Sequence, residues 1–192
     1  MPEKERADAA RNRARVLAAA EELFAAGDPG AVTMDDIAKA AGVGRGTLYR
    51  RYPDRASIAQ ALLDEHERVI QERILRGPGP LGPEPASSGP AATPAERLAA
   101  FYEAQVELLE RHVHLYLGAE VGAARYATGA YAFWRQHVRL LASAAGIADP
   151  DTAADLLLAP LAPDLYRRQR DIGVTPERYV RALSALAGKY LG

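Results

Sequence analysis

Two short helix signatures lie back to back between Thr33 and Tyr52, separated only by Ala41-Gly42-Val43-Gly44. Thr33 offers its hydroxyl to the first helical turn. Asp36 stands in the capping-box position, and Asp35 favours the positive end of the same helix. Gly42 falls where a helix ends on a left-handed residue. The second helix runs from about Gly44 to Tyr52. A longer amphipathic segment, from about Arg11 to Ala26, precedes both, with Val16, Leu17, Ala20, Leu23 and Phe24 on one stripe. Two short helices joined by a tight turn behind a packing helix have the layout of a helix-turn-helix.

The rest of the chain is punctuated in the same way. Gly27-Asp28-Pro29-Gly30 ends the first helix. Asp54 is placed to cap a long helix reaching about Arg76, with Ile58, Ala59, Leu62, Leu63, Val69, Ile70 and Ile74 on its apolar stripe. From Gly77 to Pro94 there are six prolines and four glycines, which reads as a mobile or polyproline-like loop without core residues. Thr93-Pro94-Ala95-Glu96 restarts helix with a capping box and a first-turn proline, followed by Leu98, Phe101, Tyr102, Gln105 and Leu109 at helical spacing. Another helix is expected from about Tyr126 to Ala145. Asp149-Pro150 and Thr175-Pro176 open the last two, and Pro160 and Pro163 should kink or break the first of that pair. Alanine is abundant and period-2 runs are absent, so the expected fold is all-α. The expected division is a helix-turn-helix domain over residues 1–54 and a larger helical domain over 55–192, with the loop at 77–94.

Several classes are excluded by composition. The absence of cysteine removes disulfides, thiolate metal sites and cysteine nucleophiles. The charged N-terminus has no apolar core of a secretory signal, and no apolar run approaches the ~18 residues of a membrane span. A cytoplasmic location is the default expectation. The net charge is −1, which argues against a generic nucleic-acid coat protein. Its distribution is more telling. Lys39, Arg45, Arg50, Arg51 and Arg55 face a single acid, Asp54, between Ile37 and Arg55. A compact basic patch on a near-neutral body suits a protein that meets phosphate at one end.

In a helix-turn-helix the second helix enters the major groove and its N-terminal side chains reach base edges. Here that helix reads Gly44-Arg45-Gly46-Thr47-Leu48-Tyr49-Arg50. Val43 and Leu48 are the inward anchors, with Ile37 and Ala38 of the preceding helix. Arg45, Thr47, Tyr49 and Arg50 remain for DNA, and the glycines at 44 and 46 leave room for close approach. The bland alternative makes the arginines solvated surface charges and Tyr49 a core aromatic. A phosphate-binding glycine loop is excluded, because the run follows a helix rather than a strand and lacks the required spacing.

The segments Arg13 to Phe24, Thr33 to Tyr52 and Asp54 to Leu63 together resemble the tetracycline-repressor (TetR) family, in order and in spacing. The resemblance implies a three-helix DNA-binding domain and the start of a fourth helix leading into an effector domain. It further implies that Thr33, Tyr49, Arg50 and Arg55 contact phosphates while Arg45, Gly46 and Thr47 lie nearest the bases. The chain departs from the family's frequent serine at the position of Gly44, and from histidine or phenylalanine near Arg51 and Tyr52. By the same resemblance, the last two long helices pair with their mates in a homodimer. The candidate stripes are Leu157, Leu161 and Leu165 with Val180, Leu183, Leu186 and Ala187.

Polar residues set within apolar stripes point to a pocket. His66, Gln105 and His137 each stand four residues from apolar neighbours on both sides, on three different helices. With Phe101, Tyr102, Tyr126 and Trp134 they form the candidate effector site, suited to a mostly apolar or aromatic small molecule. His112 and His114 point to opposite sides of a helix, so no metal is expected; no cofactor is expected either. No nucleophile elbow or paired catalytic motif suggests an enzyme. The expected function is a ligand-responsive repressor that binds palindromic operator DNA as a homodimer. The alternatives are a TetR-like activator and a DNA-binding regulator with no small-molecule effector.

Overall fold

The computed structural model describes residues 3–26, 31–83, 90–119 and 129–192. The fold is all-α and divides into two compact units, Met1–Glu65 and His66–Gly192. Among the described residues no helix is long and apolar enough to cross a membrane.

The first unit holds α1 (Glu3–Ala26), α2 (Met34–Ala41), α3 (Arg45–Arg51) and the opening turns of α4 (Arg55–Arg76). Helix α1 begins eight residues before the expected start near Arg11. Residues 3–10 are nearly all alanine, glutamate, lysine and arginine, which favour helix without any packing. Its stripe is buried at Val16, Leu17, Ala20 and Phe24. The turn expected at residues 27–30 lies outside the described residues. Arg13 ties this unit together: its guanidinium donates to the Tyr52 hydroxyl at 3.2 Å and pairs with Glu65 at 3.6 Å.

The second unit is built around α5 (Pro94–Ala119), which packs against α9 (Pro176–Leu191), α6 (Gly129–Ala144) and α8 (Pro163–Asp171). The Glu96 carboxylate accepts from the Thr93 amide at 2.8 Å, and the Thr93 hydroxyl accepts from the Glu96 amide at 3.2 Å. This capping box starts α5, and Leu98, Phe101, Tyr102, Gln105 and Leu109 are all buried along it. The helix kinks at His112, whose φ of −135° leaves the helical range.

The segment after Asp149 is not one long helix. Helix α7 (Pro150–Leu158) passes through a 3₁₀ turn at Ala159–Leu161 before α8 begins at Pro163. Pro160 and Pro163 cannot donate to the preceding turn, so the ladder stops between them. Two tyrosines satisfy the carbonyls left over at this break. The Tyr102 hydroxyl donates to the Leu157 carbonyl at 2.8 Å, and that of Tyr179 to the Pro160 carbonyl at 2.6 Å. Arg135 joins α6 to α7 through Asp155 at 2.9 Å and Asp151 at 3.1 Å.

Two features of this unit differ from the residue pattern. Leu81, inside the proline- and glycine-rich stretch, is buried, so that stretch does supply a core residue. Its flank is tied back by the Gly77 amide donating to the Arg73 carbonyl and the Gly82 amide to the Pro78 carbonyl, both at 2.9 Å. The two leucine stripes also separate by role. Leu157, Leu183 and Ala187 are buried within the chain, whereas Leu165, Leu186 and Tyr190 are exposed. The exposed row on α9 is therefore displaced from Leu183 towards Leu186 and Tyr190.

Candidate nucleic-acid interface and effector cavity

The turn between α2 and α3 is fixed at both ends by hydrogen bonds that the sequence encodes locally. Thr33 caps α2: its hydroxyl accepts from the Asp36 amide at 3.2 Å, and the Asp36 carboxylate accepts from the Thr33 amide at 3.1 Å. The Thr33 hydroxyl also donates to that carboxylate, and these bonds hold the Asp36 carboxyl below its usual range. At the other end Gly42 adopts φ +60°. Its amide donates to the Lys39 carbonyl at 3.2 Å and the next amide, of Val43, to the Ala38 carbonyl at 3.0 Å. This is a complete Schellman motif, and only a residue without a Cβ adopts it freely. Arg15 reaches over from α1 and donates to the Gly42 carbonyl at 2.8 Å.

Beneath the turn, Ile37, Ala38, Ala41 and Leu48 are almost wholly buried, so α3 is docked through one face. The opposite face carries Arg45, Gly46, Thr47, Tyr49 and Arg50, all exposed. Tyr49 is 47% exposed, which removes the core-aromatic alternative for that residue. Arg45 is ion-paired with Asp35 of α2, an arrangement that holds the guanidinium at the surface. A Cβ built on Gly46 would meet nothing within 4 Å. The fold therefore does not itself require glycine at this position. Arg55 is half-buried and donates to the Val32 carbonyl at 3.2 Å, joining the start of α4 to the residue before the Thr33 cap. The seven residues that the sequence pattern singled out are thus all in the first unit, five of them on the exposed face of α3.

The second unit contains a cavity of about 60 Å³. Of the expected pocket residues, Gln105 and Trp134 line it. Phe101 lies behind the wall, with its ring 5.6 Å from that of Trp134 and 5.4 Å from that of His137. Tyr102 is fully buried, its hydroxyl committed to Leu157. The His137 imidazole is buried too; desolvation, with the nearby Arg97 charge adding to it, pulls its pKa down to about 4. His66 stacks on His112, ring centroids 4.4 Å apart. Tyr126 lies outside the described residues.

The remaining wall residues, among them Glu67, Tyr116, Tyr131 and Leu161, escaped the sequence reading of the pocket. Glu67 is 4% exposed, and the Tyr116 hydroxyl donates to its carboxylate at 3.0 Å. The signal was present, since Glu67 falls three residues before Ile70 and seven before Ile74 on the buried face of α4. A glutamate at such a position is rarely buried without a partner, and its spacing alone could have marked it.

Residues 16–62 match the family of bacterial regulatory proteins, tetR family. An uncharacterised HTH-type transcriptional regulator of Mycobacterium tuberculosis is 41% identical over 61 residues, 32% of this chain and 30% of that protein. The chain thus spans under a third of that relative's length. Whole-chain likeness is structural. A TetR-family transcriptional regulator from Rhodococcus sp. superposes with a TM-score of 0.66 at 18% identity, covering 95% of this chain and all of the other. The SmeT–triclosan complex superposes with a TM-score of 0.65 at 17% identity, covering 94% of this chain and 92% of the other. At these identities the two structures establish the shared fold.

Proposed function

From the match of residues 16–62 to the tetR family of bacterial regulatory proteins, we propose a ligand-responsive transcriptional repressor of that family that binds palindromic operator DNA as a homodimer. The observation that carries this reading is the exposed row Arg45, Gly46, Thr47, Tyr49 and Arg50 on a helix anchored from beneath by Leu48. A short helix held by one buried face and bearing cations, a hydroxyl and a bare backbone on the other fits a major groove. Tyr49, Arg50 and Arg55, with Thr33 at the start of α2, serve the phosphates. Arg45, Gly46 and Thr47 serve the bases. Two such helices meet successive major grooves when the half-sites lie about one helical turn, or a multiple of it, apart.

Dimerisation is assigned to the exposed apolar row Leu165, Leu186 and Tyr190. Exposed apolar side chains on a helix face are commonly covered by a second copy. The cavity in the second unit favours a regulator with an effector over one without. SmeT, which shares the fold, is seen in complex with triclosan, an association that belongs to that protein and lends support here. Helix α4 is continuous from Arg55 to Arg76, and Glu67 on it lines the cavity. An effector that prefers the DNA-incompetent state by about 1 to 3 kcal/mol would release the operator.

Selection of bound sequences from a random duplex pool, followed by footprinting, tests the proposal. The expected product is a palindrome protected on both half-sites. Equal affinity for all duplexes at physiological salt would overturn specific binding and leave only electrostatic attraction.

A further inference from the structure

Building on the DNA-binding reading above, on which this inference rests, we propose that Asp35 is a positioning residue for sequence recognition. Its carboxylate holds the Arg45 guanidinium in the orientation that reads a guanine. Asp35 lies in the first turn of α2 and Arg45 opens α3, and the two side chains form an ion pair across the turn between the helices. Among the described residues Asp35 is the one acid paired with Arg45. Asp35 takes no part in capping α2, because Thr33 and Asp36 complete the capping box between them. Its support is rigid. Helix α2 is seated by buried Met34, Ile37, Ala38 and Ala41, and the left-handed Gly42 fixes its far end.

Stability does not account for the pair. The Arg45 and Asp35 side chains are 69% and 45% exposed, and ion pairs that water reaches contribute little to folding. A carboxylate on a surface that faces DNA also repels phosphates, so it weakens attraction to every duplex alike. What the pair supplies is orientation. A free arginine on a surface helix samples many rotamers, and fixing it on binding costs affinity. The ion pair orders the side chain before DNA arrives. It also leaves a reading edge of the guanidinium intact. The fork presents five N–H groups, two of them on Nη2, and Asp35 accepts from Nη2. One Nη2 hydrogen points along the edge shared with Nε, the other along the edge shared with Nη1. Whichever hydrogen Asp35 takes, the other edge keeps two parallel donors. Such an edge matches O6 and N7 of guanine, the commonest specific contact of arginine in the major groove. The pair thus lowers general affinity and raises discrimination.

The full chain, Asp35→Ala, Arg45→Ala and the double variant are each used to select from the same random duplex pool, and enrichment is read at every position. The natural chain should enrich a guanine in each half-site that Arg45→Ala loses. Asp35→Ala should lower the enrichment of that guanine by about two- to tenfold, the effect of leaving one long side chain to be ordered on binding. Other positions and the melting temperature should stay unchanged. The same variant should bind a duplex of shuffled sequence more tightly than the natural chain does. In the Arg45→Ala background it should alter no base preference, since Asp35 acts through Arg45. Asp35→Asn, which keeps the side-chain shape without the charge, should shift the preference the same way to a smaller extent, and supplies the reading if the alanine variant folds poorly. A guanine preference that Asp35→Ala leaves intact overturns the proposal. So does one that it sharpens, which would make the pair a latch drawing Arg45 off the base. A loss that persists without Arg45, a uniform loss at all positions with a lower melting temperature, or a base other than guanine lost in Arg45→Ala overturns it equally. In all of these the repressor reading survives. A natural chain that enriches no sequence, or an Arg45→Ala variant that keeps every preference, defeats instead the base-reading assignment beneath it.

Discussion

Replacing Gly46 by alanine separates what the fold needs from what DNA binding needs. A Cβ at this position meets nothing within 4 Å in the protein, and Gly46 lies in the first turn of α3. Alanine in place of glycine stabilises a helix by about 0.5 to 1 kcal/mol. For a chain of this size that raises the melting temperature by roughly 1–4 °C. The added methyl group projects from the face assigned to the bases, where it would stand between the backbone and the DNA and hold the helix off the groove. Loss of one bidentate base contact costs about 1 to 3 kcal/mol, a fall in operator affinity of roughly five- to 150-fold. Calorimetry and fluorescence anisotropy on a labelled operator duplex measure the two effects independently. Gly42→Ala is the converse control, because its φ of +60° strains any residue with a Cβ and the Arg15 guanidinium would have to move aside. It should lower stability directly. If Gly46→Ala binds operator as tightly as the natural chain, the backbone at Gly46 does not approach DNA and the placement of α3 in the groove is wrong.

Three further outcomes are expected. Arg45→Ala should weaken discrimination at one or two base pairs of each half-site, read by systematic base substitution; an unchanged sequence preference removes Arg45 from base reading. Leu186→Glu, on the exposed row of α9, should give a folded monomer in sedimentation, whereas Leu183→Glu should unfold the second unit; a dimeric Leu186→Glu protein would place the interface elsewhere. The His137 imidazole stays neutral in the folded chain down to about 4, below the ordinary value of 6.5. Stability is therefore fully kept above pH 6.5 and falls by about 1.4 kcal/mol per pH unit as the pH drops towards 4, because only the unfolded chain takes up the proton there. His137→Gln should remove that slope from denaturation curves measured across the window, and an unchanged slope would assign it to other groups.

The parts of this molecule that are written locally were readable from residues alone. The Thr33 and Thr93 capping boxes, the left-handed Gly42 and the cap-then-proline openings at Asp149 and Thr175 all appear in place, since each depends on hydrogen bonds within a few residues. The inward anchors Ile37, Ala38 and Leu48 followed from helical spacing in the same way. What depends on tertiary packing was less legible. Periodicity marked Leu183 and Leu186 alike as apolar, and only the position of α5 decides that one is core and the other exposed. Leu81 was hidden by the prolines and glycines around it. The cavity wall was half visible: Gln105 and Trp134 stand out within apolar stripes, while Glu67 reads as one more charge in a helix already rich in them.

The interruption between α7 and α8 has a consequence for how such a cavity changes. Leu158, Leu161 and Pro163 contribute to its wall from the end of one helix, a single 3₁₀ turn and the start of the next. In a continuous helix, adding one residue rotates every later side chain by about 100° and scrambles the packing downstream. Here an insertion or deletion in the three-residue turn can be absorbed where the backbone ladder is already broken. The volume and lining of the cavity can thus drift from one descendant sequence to another while the helices beneath keep their partners. Libraries that vary the length of residues 159–161 should yield folded regulators of altered ligand range more often than libraries that vary the length of α5.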